Sequence, residues 1–91
     1  MTGDTLRDLA AGALVGCALG DAIGELAFVH PEREALLRVV AGSHELVYTD
    51  DTAMAVELAR ALAADGGVDR ERLGARFAAA FEAEPWRGYG P

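Results

Sequence analysis

The stretch from Thr49 to Gly67, TDDTAMAVELARALAADGG, carries signals for both the beginning and the end of a helix. Thr49 and Asp50 have side-chain oxygens that accept hydrogen bonds from the free backbone N–H groups of a first helical turn. The glycine pair at the end favours the left-handed backbone that terminates helices. We therefore expect a helix that begins at Thr49 or Asp50 and continues through Ala64. Its apolar stripe consists of Met54, Leu58 and Leu62.

Three further segments on either side of this helix also have helical patterns. They run from Leu6 to Ile23, from Glu32 to Val40, and from the residue after Asp69 to a point before Pro85. The expected N-cap of the first is Thr5 or Asp4, and Pro31 suits the first position of the second. No long stretch alternates with period two, and the only strand candidate is the short stretch from Leu46 to Tyr48. The pattern predicts an all-α protein.

Composition and charge exclude several classes of function. The 91 residues include 15 acids and eight basic residues, so the net charge is −7. Such an acidic surface repels phosphate backbones, which argues against nucleic acid as a partner. All basic residues are arginine, so lysine Schiff-base chemistry is excluded within this stretch. Alanine-rich helices supply few large side chains, and we expect a thin core.

A single cysteine and a short apolar run bear on location. Cys17 has no partner for an internal disulfide and is typical of a small buried residue in a reducing compartment. The apolar run from Leu9 to Leu19 is shorter than the roughly 20 residues that span a bilayer, and Asp21 follows it closely. We therefore expect a cytoplasmic protein that does not bind a membrane.

A glycine ridge, formed by Gly12, Gly16, Gly20 and Gly24, lies on one face of the first predicted helix. Each glycine costs roughly 1 kcal/mol relative to alanine, and close packing against another backbone is the ordinary compensation. The alternative is that the ridge also leaves room for a ligand beside Asp21. That carboxylate should be buried or nearly so once partners cover the ridge, and it would then need an arginine, a helix terminus or a metal site as a partner.

Two acids, Asp50 and Asp51, follow Thr49 at the start of the central helix. Adjacent helical residues point about 100° apart, so these carboxylates cannot easily chelate one ion from a helix interior. At a helix start they could hold one ion jointly with Thr49, or bridge two, and Mg²⁺ prefers such oxygen ligands. An ordinary N-terminus is the alternative, because acidic side chains there gain about 0.3 to 1 kcal/mol from the helix dipole.

The last segment contains Gly88, Tyr89 and Gly90. Glycine has no side chain, so a loop of this kind can bring backbone N–H groups close to an anionic group. Loops of this composition are more often plain turns. Phosphate contact is therefore the less common of the two roles for this segment.

Taken together, three segments resemble the N-terminal part of the ADP-ribosylglycohydrolase family. They are GDAIG at residues 20–24, YTDDTAMA at residues 48–55 and EPWRGYG at residues 84–90. The resemblance covers nearly the whole chain, and the last segment is most similar to the branch of serine-linked ADP-ribose hydrolases. It implies an all-α fold of which residues 1–91 form a partial single domain, the N-terminal part of a longer one.

The resemblance also implies a site. Two Mg²⁺ ions would lie beneath the distal ribose of ADP-ribose, with the remaining metal ligands outside this chain. Asp21 would support the ligands without binding the ions itself. The matching metal ligands are Thr49, Asp50 and Asp51, and the matching substrate-binding residues are Gly88, Tyr89 and Gly90.

The implied activity is hydrolysis of the glycosidic bond between ADP-ribose and a serine or arginine side chain, so the expected partners are ADP-ribose and ADP-ribosylated proteins. Related members commonly carry a glutamate where this chain has Phe28, which leaves Glu25 as the nearest candidate for the catalytic carboxylate. The alternative is a non-catalytic module of the same fold that binds ADP-ribose or serves structurally. Alone, residues 1–91 are expected to fold poorly, or to associate with themselves or with a complementary chain.

Overall fold

The computed structural model describes residues 2–91. This part of the chain contains the helices α1 (Gly3–Val29), α2 (Arg33–Gly42), α3 (Asp50–Asp65) and α4 (Arg70–Ala83), followed by a 3₁₀ turn at Pro85–Arg87. No strand occurs among these residues, so the all-α prediction is confirmed and the strand candidate from Leu46 to Tyr48 is wrong. The chain divides into two compact units, the first ending at Tyr48 and the second comprising Thr49–Pro91.

The first helix begins earlier than the sequence predicts. Its N-cap is Thr2, whose side-chain oxygen accepts a hydrogen bond from the backbone N–H of Thr5 at 3.1 Å. The predicted caps, Asp4 and Thr5, therefore lie inside the first turn. Thr2 caps the helix three residues before Thr5 and so adds almost one turn to it, because Thr5 can itself adopt helical backbone.

The boundary between α1 and α2 is set by Pro31. α1 continues past its predicted end at Ile23 to Val29 and stops before His30, because the proline ring disfavours helical backbone at the residue that precedes it. α2 begins at Arg33 with Glu32 as its N-cap, so Pro31 precedes the helix and does not occupy its first position. The two helices contact each other within the first unit.

The glycine ridge has no close neighbour among the described residues. A Cβ atom added at any of its four glycines would meet nothing within 4 Å, so the predicted close approach of another backbone is not seen in residues 2–91. Within α1 only Ala22 is buried, at 3% exposure, and Cys17 is exposed, contrary to its predicted burial. The face of α1 that the sequence suggests for packing is thus uncovered in this part of the chain.

α1 also passes a length and composition test for a membrane-spanning helix. An 18-residue window within Gly3–Val29 has a mean hydropathy of 1.6, and 6% of it is buried. The extension of the helix to Val29 removes the argument that the apolar run is too short. The interior helix of a soluble protein and a signal sequence pass the same test, so length and composition alone do not distinguish these roles. The absence of membrane binding stays a prediction.

The central helix α3 follows the sequence prediction closely. Thr49 is its N-cap, Asp50 is its first residue, and Gly66 ends it with a left-handed backbone at φ 68°. This φ is one that glycine adopts without steric cost. The buried residues of α3 are Thr52, Ala53 and Ala61. The other buried residue of the described part of the chain is Ala22, in the first unit. Among the described residues neither unit buries a large apolar side chain, as the alanine-rich composition suggests.

Within the second unit, α3 and α4 form an antiparallel pair. Asp65, the last residue of α3, accepts a hydrogen bond from Arg72 in the first turn of α4, Oδ1 to Nη1 at 3.1 Å. Glu57, farther back on α3, lies 3.9 Å from Nη1 of Arg76, farther along α4, and also accepts from Arg60 at 2.7 Å. The partner of the earlier residue on α3 is thus the later residue on α4, so the two helices are antiparallel. The start of α3 therefore lies at the same end of the pair as the end of α4.

We predict that Glu57→Gln weakens this helix pair. The Glu57 side chain is 15% exposed and contacts two arginines, so its loss should lower the free energy of unfolding of the whole protein by about 1 kcal/mol. Glu82→Gln is the matched control, because it removes the same charge from an exposed position on α4. Urea unfolding of both variants checks the prediction, and equal stabilities would contradict it.

Candidate functional site

The start of α3 presents three oxygen-bearing side chains in sequence. The hydroxyl of Thr49 accepts a hydrogen bond from the backbone N–H of Asp51 at 3.4 Å, which places Thr49 at the N-cap. Asp50 is half-buried and Asp51 is exposed, whereas Thr52 is almost fully buried at 2% exposure. The buried threonine and the N-cap bond fix this turn, so the two carboxylates project from a defined position and not from a flexible loop.

This donor set suits a hard divalent cation, which prefers carboxylate and hydroxyl oxygens. It is incomplete by itself. No group of three or more His, Cys, Asp or Glu side chains that could hold a metal ion occurs among residues 2–91. A metal site that included Thr49, Asp50 and Asp51 would therefore need further ligands, and metal binding by these residues stays a prediction.

The segment that follows α4 has a defined conformation. Glu84 is the C-cap of α4, Pro85 opens the 3₁₀ turn, and Gly88 follows the turn with a left-handed backbone at φ 91°. The ring of Tyr89 packs edge-on against Phe81 of α4, with ring centroids 5.2 Å apart. The Tyr89 hydroxyl is buried without a hydrogen-bond partner. The loop from Gly88 to Gly90 is thus anchored to α4 through its central residue.

The antiparallel helix pair brings two predicted elements to one end of the second unit. α3 begins with the Thr49, Asp50 and Asp51 group, and the loop from Gly88 to Gly90 follows the end of α4, folded back onto Phe81. The predicted metal-binding group and the predicted substrate-binding loop, some 40 positions apart in the sequence, therefore share one end of a helical hairpin.

The remaining predicted residues lie in the first unit, on α1. Asp21 is half-buried although the glycine ridge is uncovered in residues 2–91, and Glu25, one helical turn later, is exposed. Phe28, at the position where the resemblance leads one to expect a glutamate, is 87% exposed. The residue is apolar and the position is accessible, so this side chain contributes no acid or base.

One pair of residues near the loop was not singled out from the sequence. Arg87 donates two hydrogen bonds to the carboxylate of Glu84, from Nε at 2.9 Å and from Nη2 at 3.1 Å. The sequence does show two opposite charges three residues apart, Glu84 and Arg87. Such spacing brings side chains together within a regular α-helix, but these residues follow the end of α4.

Comparison with known proteins decides the family. A sequence model described as ADP-ribosylglycohydrolase matches residues 2–91. The chain belongs to the ADP-ribosylglycohydrolase family. This family match covers α1 to α4 and the final loop, so both elements of the candidate site lie inside it.

Curated relatives agree with this assignment. The chain is 34% identical over 93 residues to the human protein named ADP-ribosylhydrolase ARH3, and the match covers 87% of this chain and 26% of the relative. The bovine protein of the same name is 35% identical over 96 residues, with 87% and 26% covered, and the mouse protein is 33% identical over 94 residues, with 87% and 25% covered. These matches confirm the resemblance predicted from the three sequence segments.

The chain spans about a quarter of the length of these curated relatives. No solved structure matches the chain at a significant level. The comparisons therefore establish the family of this segment.

We predict that Gly88→Ala destabilises the loop and that Gly90→Ala does not. Neither added Cβ would meet an atom within 4 Å, so the two substitutions differ in backbone conformation and not in space. Gly88 has φ 91°, whereas Gly90 has no positive φ, so only the first substitution is strained, by roughly 1 to 2 kcal/mol. Denaturant unfolding of the whole protein checks this. An equal or smaller loss for Gly88→Ala than for Gly90→Ala would contradict it.

Proposed function

We propose that the protein carrying this chain is a Mg²⁺-dependent hydrolase that cleaves the glycosidic bond between ADP-ribose and a protein side chain. The observation that carries the proposal is the placement of Thr49, Asp50 and Asp51 at the same end of the helical hairpin as the loop from Gly88 to Gly90. Membership of the ADP-ribosylglycohydrolase family supports the substrate class. The acceptor is serine or arginine, and the EPWRGYG segment favours serine.

The carboxylates of Asp50 and Asp51 would hold the cations, with the Thr49 hydroxyl as a further oxygen donor. Cleavage at an anomeric carbon develops oxocarbenium character in the transition state. Mg²⁺ held by these residues would supply Lewis-acid chemistry, by which the ribose hydroxyls and an attacking water could be oriented. The N-cap bond to Thr49 and the burial of Thr52 keep the carboxylates in place, which favours preorganised binding over binding that orders a loop.

The loop from Gly88 to Gly90 would contact the pyrophosphate. The chain contains no lysine, so arginine side chains, backbone N–H groups and helix N-termini are its possible donors to an anionic ligand. Backbone N–H groups beside glycines provide such donors, because no side chain obstructs the approach of the phosphate oxygens. Both glycines of the loop are exposed, which leaves this backbone open to a ligand.

Glu25 remains the candidate for a catalytic carboxylate within this chain. It is exposed, and it lies one helical turn from Asp21 on α1. A general acid or base must come within hydrogen-bond reach of the proton it transfers. Loss of hydrolysis in Glu25→Gln with retained ADP-ribose binding would support this role, and unchanged turnover would exclude it.

The second candidate function is a non-catalytic module of the same fold. The observation that favours it is the exposed Phe28 at the position of the expected glutamate. Calorimetry distinguishes the two functions. A folded whole protein that binds no Mg²⁺, or that binds Mg²⁺ and ADP-ribose without releasing ADP-ribose from a modified peptide, would be such a module.

We predict that Asp50→Asn and Asp51→Asn each reduce Mg²⁺ affinity and the rate of ADP-ribose release on the order of 100-fold, because a neutral amide is a much weaker ligand for Mg²⁺. Mg²⁺ titration calorimetry and release of ADP-ribose from serine-linked and arginine-linked peptides are the measurements.

Asp69→Asn is the matched control for these substitutions. Asp69 is the N-cap of α4 and accepts from the backbone N–H of Arg72 at 3.0 Å, a role that asparagine fills equally well. The control removes the same charge from another helix start of the same hairpin. Unchanged ADP-ribose release in both Asp50→Asn and Asp51→Asn would end the proposal.

A further inference from the structure

We propose that Glu84 and Arg87 are positioning residues that hold the loop from Gly88 to Gly90 in its ligand-binding conformation. The inference rests on the proposed function of that loop and adds two residues to it. The carboxylate and the guanidinium act through the backbone that they fix, and neither one touches the ligand.

The geometry of the pair is that of a clamp. Nε and Nη2 of Arg87 donate to the two carboxylate oxygens of Glu84 at 2.9 and 3.1 Å, which is the bidentate arrangement that arginine forms with carboxylates. The backbone N–H of Arg87 also donates to the carbonyl of Glu84 at 3.3 Å. The guanidinium carbon lies 4.3 Å from the centroid of the Trp86 ring, within the range of cation–π attraction.

These contacts make Arg87 a fixed point of the backbone. Its side chain is only 9% exposed, although the residue lies in a segment of three residues between a helix and a glycine loop. With two donors already directed at Glu84 and little of its surface accessible, the guanidinium is poorly placed to bind phosphate itself. The positive charge of Arg87 instead stabilises the backbone turn between Glu84 and Gly88.

The loop is consequently held on both sides of Gly88. Arg87 fixes the residue before it, and the packing of Tyr89 against Phe81 fixes the residue after it. Gly88 itself is the residue that adopts φ 91°, so the direction of the neighbouring N–H groups depends on these two anchors. A backbone held in this way loses less conformational freedom when an anion binds, and affinity rises for that reason.

The test uses the whole protein with ADP-ribose as the ligand. Glu84→Gln keeps the size of the side chain and removes the charge that balances Arg87. We expect the Kd for ADP-ribose and the KM for a modified peptide to rise about tenfold while kcat changes less than about twofold, since the loop would bind ground state and transition state alike. Glu84→Asp keeps the carboxylate and should restore most of the affinity.

Glu82→Gln is the matched control and should leave the Kd for ADP-ribose unchanged. Glu82 lies two positions before Glu84, and its exposed side chain carries the same charge. Arg87→Lys is the second variant, to be used as well if Glu84→Gln unfolds. It keeps the positive charge but loses the bidentate geometry, and it should raise the Kd for ADP-ribose similarly.

The outcomes separate the two proposals. Suppose that the wild-type protein binds ADP-ribose, and that the two variants Glu84→Gln and Arg87→Lys fold and bind it with the same Kd. The positioning role of Glu84 and Arg87 is then wrong, and the proposed function of the loop stands. A fall in kcat at unchanged KM would also contradict a positioning role in binding. If the wild-type protein binds no ADP-ribose, the proposed function and the clamp fail together.

Discussion

Arg72 and Arg76 project from α4 one helical turn apart, and each lies against an acid of α3, Asp65 and Glu57 respectively. Individually such pairs contribute little, because water screens exposed charges. Both pairs require the two helices to be antiparallel in this register, and so together they favour it. The placement of the candidate site depends on that register, because it brings the beginning of α3 to the same end as the segment that follows α4.

At that end the chain combines two kinds of backbone. The acids at the head of α3 belong to a helix whose first turn is capped by Thr49 and secured by the buried Thr52. The loop from Gly88 to Gly90 has no helical hydrogen bonds of its own, and its shape depends on side chains, through Arg87 on Glu84 and Tyr89 on Phe81. Rigid carboxylates suit a cation that demands a defined geometry, whereas an open glycine backbone suits an anion. In the proposed function, the carboxylates would hold Mg²⁺ and the glycine backbone would contact the pyrophosphate.

Much of the fold was legible in the sequence because helix ends have local causes. Gly66 ended α3 and Asp69 began α4 as expected, since a left-handed glycine and an N-cap carboxylate act on their own neighbours. The start of α1 was missed because Thr2 and Thr5 are both competent caps and local chemistry does not choose between them. The burial expected of Cys17 and the close packing expected of the glycine ridge were also not found, because burial depends on which surface covers a helix, and that is not a local property.

By itself, the sequence determined the helical class and the family resemblance, since residue types, spacing and cap chemistry are local properties of the chain. It also predicted the residues of the candidate site. Tertiary structure alone decided that the acids after Thr49 and the loop at Gly88 share one end of a hairpin, because the register of two helices is set by contacts between distant residues. It also decided that Arg87 secures the loop. A bidentate bond to Glu84 requires the backbone to turn between them, and the charges of the two residues do not specify that turn.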